Sequence, residues 1–267
     1  MADLLRNTFF SVAILSLFSL PAHGKDVTAP PLPSVSSLSQ SGRLITITKA
    51  MIDESAANSL AEMLSQFVGI YAYHRGGNGQ PVITNVRGNR SGDVLFLLND
   101  VSIQSAISST SAIHRIPLEI IDRIEIAYGP NSALYGSSAL AAVIKIYTNL
   151  PNEERLHTDL LIGAGSESTY KLKASLNGKI RKTQIGIEVL QHKTDGINSY
   201  LSDMWPDSDG TTYGTVGFSL TNQLSKKLKI GVQGLYINGT REFDYQFPET
   251  EEESIDEQWS IRAEYKY

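Results

Sequence analysis

From Leu156 onward, apolar and polar residues alternate with a period of two, a pattern that strands satisfy and helices do not. Tyr170, Leu172, Ala174 and Leu176 alternate with Lys171, Lys173, Ser175 and Asn177. Trp259, Ile261, Ala263, Tyr265 and Tyr267 alternate with Gln258, Ser260, Arg262, Glu264 and Lys266. Between them lie Ile185, Ile187 and Val189, then Val216, Phe218 and Leu220, then Leu228, Ile230, Val232, Gly234 and Tyr236. With Leu156 to Ala164, the spacing predicts about six strands of about ten residues, the length a tilted strand needs to cross a bilayer. Short turns are expected near Ser166, Lys179 and Ser225, and long loops at Thr194 to Thr211 and Asn238 to Asp256. One short side, one long side and an apolar outer face fit a membrane barrel. A soluble sandwich shares the alternation, so the choice between them rests on the rest of the chain.

The N-terminus bears on that choice. Arg6 is followed by an apolar run from Thr8 to Leu20 and by Pro21-Ala22-His23-Gly24, with small residues placed for cleavage after Gly24. This is the pattern of a secretory signal peptide over residues 1–24. The run of 13 residues is short of the roughly 18 to 20 that a spanning helix requires. A formal charge of -5 without a basic cluster argues against a nucleic-acid partner. With no cysteine, neither thiolate metal ligands nor disulfides are available. Residues 25–43, rich in Pro and Ser, read as a disordered tether.

The architecture changes between Ile124 and Thr148: a strand, a Gly-Pro turn, an irregular segment closed by Tyr135-Gly136, and a second strand. This stretch resembles the signature that ends the plug domain of TonB-dependent outer-membrane receptors, roughly RGPxSxLYGxxAxGGVINIxT. Gly129, Pro130, Ser132, Leu134, Tyr135, Gly136, Ala139, Val143, Ile144, Ile146 and Thr148 fit it, 11 matches in register. Tyr128 stands where the family has Arg, Ala141 and Ala142 replace a glycine pair, and Lys145 replaces Asn. The loss of that Arg implies one plug-to-barrel ion contact fewer.

Residues 44–150 are the region this resemblance covers as a plug. Leu44 to Thr48 alternates as a short strand. Ser59 and Glu62 form a capping box ahead of Leu60, Met63, Leu64 and Phe67, which predicts a two-turn helix ended by Gly69. Ile70 to Tyr73 and Val82 to Val86 read as strands joined by a glycine-rich loop that lacks the phosphate-binding pattern. Val86-Arg87-Gly88 resembles the family's IRG motif, and Val94 to Val101 resembles its VLVLxDGV strand and turn. Here Asp100 takes the glycine position, which Asp tolerates at some cost, and Val68 replaces a proline before Gly69.

The resemblance implies an α+β plug domain followed by antiparallel transmembrane β-barrel hairpins over 151–267. At about six strands this is an incomplete barrel, since the family's barrel has about 22. It implies a ligand-gated receptor in the outer membrane of a Gram-negative cell, with plug and tether facing the periplasm. Such a receptor takes up a scarce nutrient such as a ferric siderophore or cobalamin, energised by the TonB complex. Its plug signature falls on Arg87, Gly88, Gly129, Pro130, Tyr135 and Gly136. Its ligand-facing loops carry over to Asn78, Gln80, Ser105, Ser108 and Ser109, any of which is also an ordinary solvated loop residue. Asp26-Val27-Thr28-Ala29 sits where a TonB-contacting box belongs, or is a plain spacer. No enzyme, cofactor or resident metal is expected: there is no HExxH pair, and Ser137 is not in a nucleophile elbow. Asp203, Asp207 and Asp209 offer oxygen ligands for calcium but read more simply as turn residues. The rival readings are a non-transporting periplasmic binding protein built on a plug-like domain and, behind it, a secreted enzyme on a β-sandwich.

Overall fold

The computed structural model describes residues 44–74, 81–104, 111–148, 155–198, 208–243 and 250–265. The first part is built on a mixed sheet. Its strands are β1 (Leu44–Thr48), β4 (Val94–Leu98), β5 (Val101–Ser102), β6 (Ile121–Tyr128) and β7 (Ala142–Thr148), in the order β1-β6-β7-β4-β5. β4 and β7 run parallel, and the other neighbours are antiparallel. Every residue of β4 and β7 is buried, as expected of a central parallel pair covered on both faces. A separate hairpin pairs β2 (Ile70–His74) with β3 (Val82–Val86).

Two short helices cover one face of the sheet. α2 (Leu60–Ser65) forms where the capping box predicts it, with the Ser59 hydroxyl accepting from the Glu62 amide at 3.2 Å. The Glu62 carboxylate accepts from the amide of Asn58, one residue before the cap, at 2.8 Å. Ser59→Ala removes the cap and also the 3.0 Å contact of its hydroxyl with His74 Nε2. It should cost about 1 kcal/mol, read as a lowered midpoint in urea. The helix stops a turn earlier than its apolar spacing suggests. Ser65 turns its hydroxyl onto β2 instead, donating to Ala72 O at 2.7 Å and accepting from Ala72 N at 3.0 Å. α1 (Lys49–Glu54) was not legible, because Ile52 is the one buried side chain in its six residues and no stripe results.

The second part is a meander of six antiparallel strands: β8 (His157–Ala164), β9 (Tyr170–Ile180), β10 (Thr183–Thr194), β11 (Thr211–Gln223), β12 (Leu228–Phe243) and β13 (Thr250–Tyr265). The number agrees with the alternation in the sequence. Ile187, Val189, Val216 and Leu220 stand about half exposed on the outer face, while Glu188, His192, Thr215 and Ser219 are buried on the inner face against the first part. That polarity is the one a membrane wall requires. The inner face is not wholly polar. Leu190, Leu235 and Ile237 point inward and join the core of the first part, which offers them an apolar surface.

Two loop expectations need correction. The loop expected at 238–256 is mostly strand, since β12 and β13 pair in register out to Phe243 opposite Thr250. Their acidic run looked like solvated loop, yet the strand pairing continues through it, with Arg241 opposite Glu252 and Glu242 opposite Glu251. Each of these two strands has 16 residues, more than the roughly 9–11 a tilted span needs. The short turn at Ser166 follows β8 at the end of the sheet where β10 and β12 also finish, so it does not share a side with the other short turns. The opposite end carries the tight turns at 181–182 and 224–227. Among the described residues no helix is long and apolar enough to cross a membrane.

Candidate functional site: the seam between the mixed sheet and the strand wall

Several sequence-derived candidates, Asp26 to Ala29, Asn78, Gln80, Ser105, Ser108 and Ser109, lie outside the described residues, as do Asp203 and Asp207. Asp209 is described and buried, its amide bonded to Ile197 O at 3.2 Å. No group of three or more His, Cys, Asp or Glu suited to a metal occurs among the described residues.

The signature residues are brought together by two tight turns. Gly69 (φ +87°) ends the α2 segment, and a Cβ there would stand 3.2 Å from Arg87 Cγ. Arg87 adopts φ 50° and donates its amide to Gly69 O at 2.7 Å, which closes the β2–β3 unit. Its guanidinium lies 4.6 Å over the Tyr128 ring, and the Tyr128 hydroxyl donates to Val68 O at 3.0 Å. One departure from the family pattern, Tyr128, thus bonds the main chain of another, Val68, whose side chain is exposed. After Gly129 and the exposed Pro130, Asn131 is buried and donates to Gly129 O at 2.9 Å. It starts a helical turn, α3 (Ser132–Tyr135), which Gly136 closes at φ 88° with its amide on Ser132 O at 2.9 Å. Asn131 was not singled out from the sequence; an Asn directly after Gly-Pro is the signal that could have found it.

A second pair of departures also meets. Asp100, in the glycine position with φ 68°, accepts from Lys145 Nζ at 3.3 Å and from the Tyr147 hydroxyl at 3.2 Å. The Lys145 side chain is 3% exposed and that of Asp100 17%. Burial, with the charges of Asp100 and Glu125 beside it, pushes the Tyr147 phenol above its usual range, so Tyr147 remains a donor. On the same turn Asn99 accepts from the Thr148 amide and donates to the Thr148 hydroxyl, both at 3.0 Å.

The wall is fastened to the mixed sheet around Glu119, in the 3₁₀ turn Leu118–Ile120. Its carboxylate takes the ammonium of Lys171 on β9, and its carbonyl accepts from Lys173 Nζ and, at 3.1 Å, from Lys49 Nζ. Lys173 also pairs with Glu188 on β10 at 3.5 Å. Gln233 Nε2 donates to Thr148 O at 3.3 Å and pins the end of β7. Cavities lie on either side of this clasp. One of about 290 Å³, at the end of the sheet where β8, β10 and β12 finish, includes Lys171, His74, His114 and His192 in its lining. The other, of about 890 Å³ toward the opposite end, includes Lys49, Glu119 and Lys173.

His114 belongs to the first of these cavities. Burial lowers its pKa from 6.5 to about 3, with Arg241, Arg115 and His74 adding in that order. The unfolded ring takes up a proton near pH 6.5 while the folded ring stays neutral down to about 3. The unfolded state therefore binds more protons within that window, and stability falls as pH falls through it, by up to about 1.4 kcal/mol per pH unit. Melting curves followed from neutral to acid pH should show that loss, and His114→Gln should flatten it.

The TonB-dependent receptor plug domain matches residues 36–143. A vitamin B12 transporter BtuB of Photobacterium profundum is 32% identical over 213 residues, covering 78% of this chain and 34% of its own length. The BtuB of Vibrio vulnificus is 35% identical over 173 residues, covering 63% of this chain and 27% of its own. The chain thus spans about a third of the length of these relatives. Among solved structures, the ferric yersiniabactin uptake receptor FyuA of Yersinia pestis superposes with a TM-score of 0.66 at 14% identity, covering 85% of this chain and 39% of its own. The ferric enterobactin receptor PfeA of Pseudomonas aeruginosa gives 0.68 at 16%, covering 87% and 39%. The family is one of outer-membrane transporters without enzymatic activity. The matched plug, the sheet order of the mixed domain and an unclosed wall that is apolar outside and polar toward that domain agree, and the chain belongs to the TonB-dependent receptor family as its plug domain and the barrel strands that follow.

Proposed function

We propose that this chain forms the plug and first wall segment of an outer-membrane receptor for TonB-energised uptake of a corrinoid or a ferric chelate. The observation that carries the reading is the docking of the plug on the polar inner face of a wall whose outer face is apolar. The similarity to vitamin B12 transporters supports a corrinoid, and the shared fold with ferric siderophore receptors keeps the iron chelates beside it. In this reading residues 1–24 direct export, 25–43 tether the plug on the periplasmic side, and the 195–210 and 244–249 connections face outward. Asp26 to Ala29 would offer backbone for strand addition to TonB. Asn78, Gln80, Ser105, Ser108 and Ser109 would meet the ligand. A pull on the tether reaches the clasp through β1 and Lys49, and freeing Glu119 from Lys171 and Lys173 would join the two seam cavities into one polar path.

The intact mass of the native protein in a detergent-solubilised outer-membrane fraction tests this. A mass well above 29.2 kDa places the chain at the front of a complete receptor. Recovery from the periplasm without detergent would instead favour a non-transporting plug-like binding protein.

A further inference from the structure

The smaller seam cavity has a lining that the clasp does not account for. Among the described residues its basic side chains are His74, His114, Arg115, Lys171, His192 and Arg241, and no carboxylate lines it. They arrive from the β2 strand, the Ile113–Arg115 turn and the strands β9, β10 and β12, so docking of the plug on the wall is what assembles them. Both ring nitrogens of His114 are buried with no protein partner among the described residues, and so is Nδ1 of His192, whose ring stacks on Tyr213 at 4.6 Å. A buried polar atom left without a partner costs roughly 1–3 kcal/mol, so imidazole nitrogens kept this way call for a ligand that completes them. Glu119 answers the charge of Lys171 from beside the cavity. Serine and threonine hydroxyls complete the wall.

We propose that this cavity is an oxyanion site that takes a phosphate- or carboxylate-sized group. Guanidinium groups and imidazole N–H donors converging on one space suit oxygen anions, and charge-assisted bonds to them are about twice as strong as neutral ones. At about 290 Å³ the cavity sits at the bottom of the roughly 300–1,000 Å³ range of small-molecule sites. It therefore seats a substituent of a larger ligand, or a free ion, and not a whole corrinoid or chelate. The ligand's identity rests on the receptor reading, whereas binding of the anion does not, so loss of uptake and loss of this site are separable results.

The test is a titration of the full chain in detergent with inorganic phosphate, following ring-15N-labelled histidines, with chloride at matched ionic strength as control. Saturable shifts are expected at His114 and His192, with the exposed His157 unmoved. Arg115→Gln with Arg241→Gln should weaken binding by at least about tenfold, equivalent to about 1.4 kcal/mol. A non-saturating response that His157 shares, or an affinity unchanged in the variant, overturns the proposal. Should the double variant fail to fold, the unmodified chain still decides: its melting temperature rises in phosphate beyond chloride if the site exists and equally in both if it does not. Displacement of phosphate by a phosphodiester-bearing corrinoid or by a carboxylate-bearing ferric chelate assigns the source of the anion, and displacement by neither assigns the site to the free ion.

Discussion

Asp100→Asn should destabilise the plug by about 3 kcal/mol, because it leaves the Lys145 ammonium buried without its counter-charge. Asn is the informative replacement: it keeps an acceptor for the Tyr147 hydroxyl and tolerates the positive φ of this turn. For a chain of this size the melting temperature should drop by roughly 6–12 °C. Lys145→Asn should cost less, since Asp100 keeps Tyr147 as a donor and is the more exposed partner. The combination Asp100→Gly with Lys145→Asn restores the family pattern at both positions and removes both charges. It should recover most of the loss, because replacing a whole buried ion pair is far cheaper than halving it. A double variant destabilised by the sum of the two single losses would show that the two departures from the pattern are independent.

Glu119→Gln should loosen the hold of the plug on the wall by about 2 kcal/mol, the value of a hydrogen bond to a charged group. The bonds from Lys173 and Lys49 to the Glu119 carbonyl remain, so the effect isolates the Lys171 contact. The absence of cysteine makes a direct readout available: Leu118→Cys places one thiol at the seam, 6% exposed in the native chain. Labelling that requires local opening should speed up about 30-fold in the Glu119→Gln background, since each 1.4 kcal/mol is a factor of ten. Equal labelling rates in the two backgrounds would mean that the clasp carries no load. Such a result would also remove the argument that release of Glu119 joins the cavities.

Much of the fold was legible because strands and turns are written locally. Period two in Tyr170 to Asn177 assigned Leu172 and Leu176 to one face and Lys173 and Ser175 to the other, and the structure keeps that division. Asp100 was expected to bear a glycine's geometry and does, at φ 68°. The charged stretch around Glu251 misled because an acidic run reads the same in a solvated loop and at the extended end of a long strand. α1 left no trace because a six-residue helix with one buried side chain has no periodicity to detect. The candidate site was less legible. Glu119 lies in a short turn with no motif, and nothing near it in the chain announces lysines 52 and 54 residues away.

The sequence by itself determined the strand wall with its apolar face, the turn chemistry around Gly129 and Gly136, the cap of α2 and the kinship with receptor plugs. These follow from spacing, from residues that few backbone geometries accept, and from matches in register. Only the tertiary structure decided which departures compensate each other, as Asp100 does with Lys145, and which basic residues share a cavity. Periodicity states which face a side chain takes. The partner it meets there depends on how two separately specified surfaces dock, and that is set by the shape of the plug against the curve of the wall.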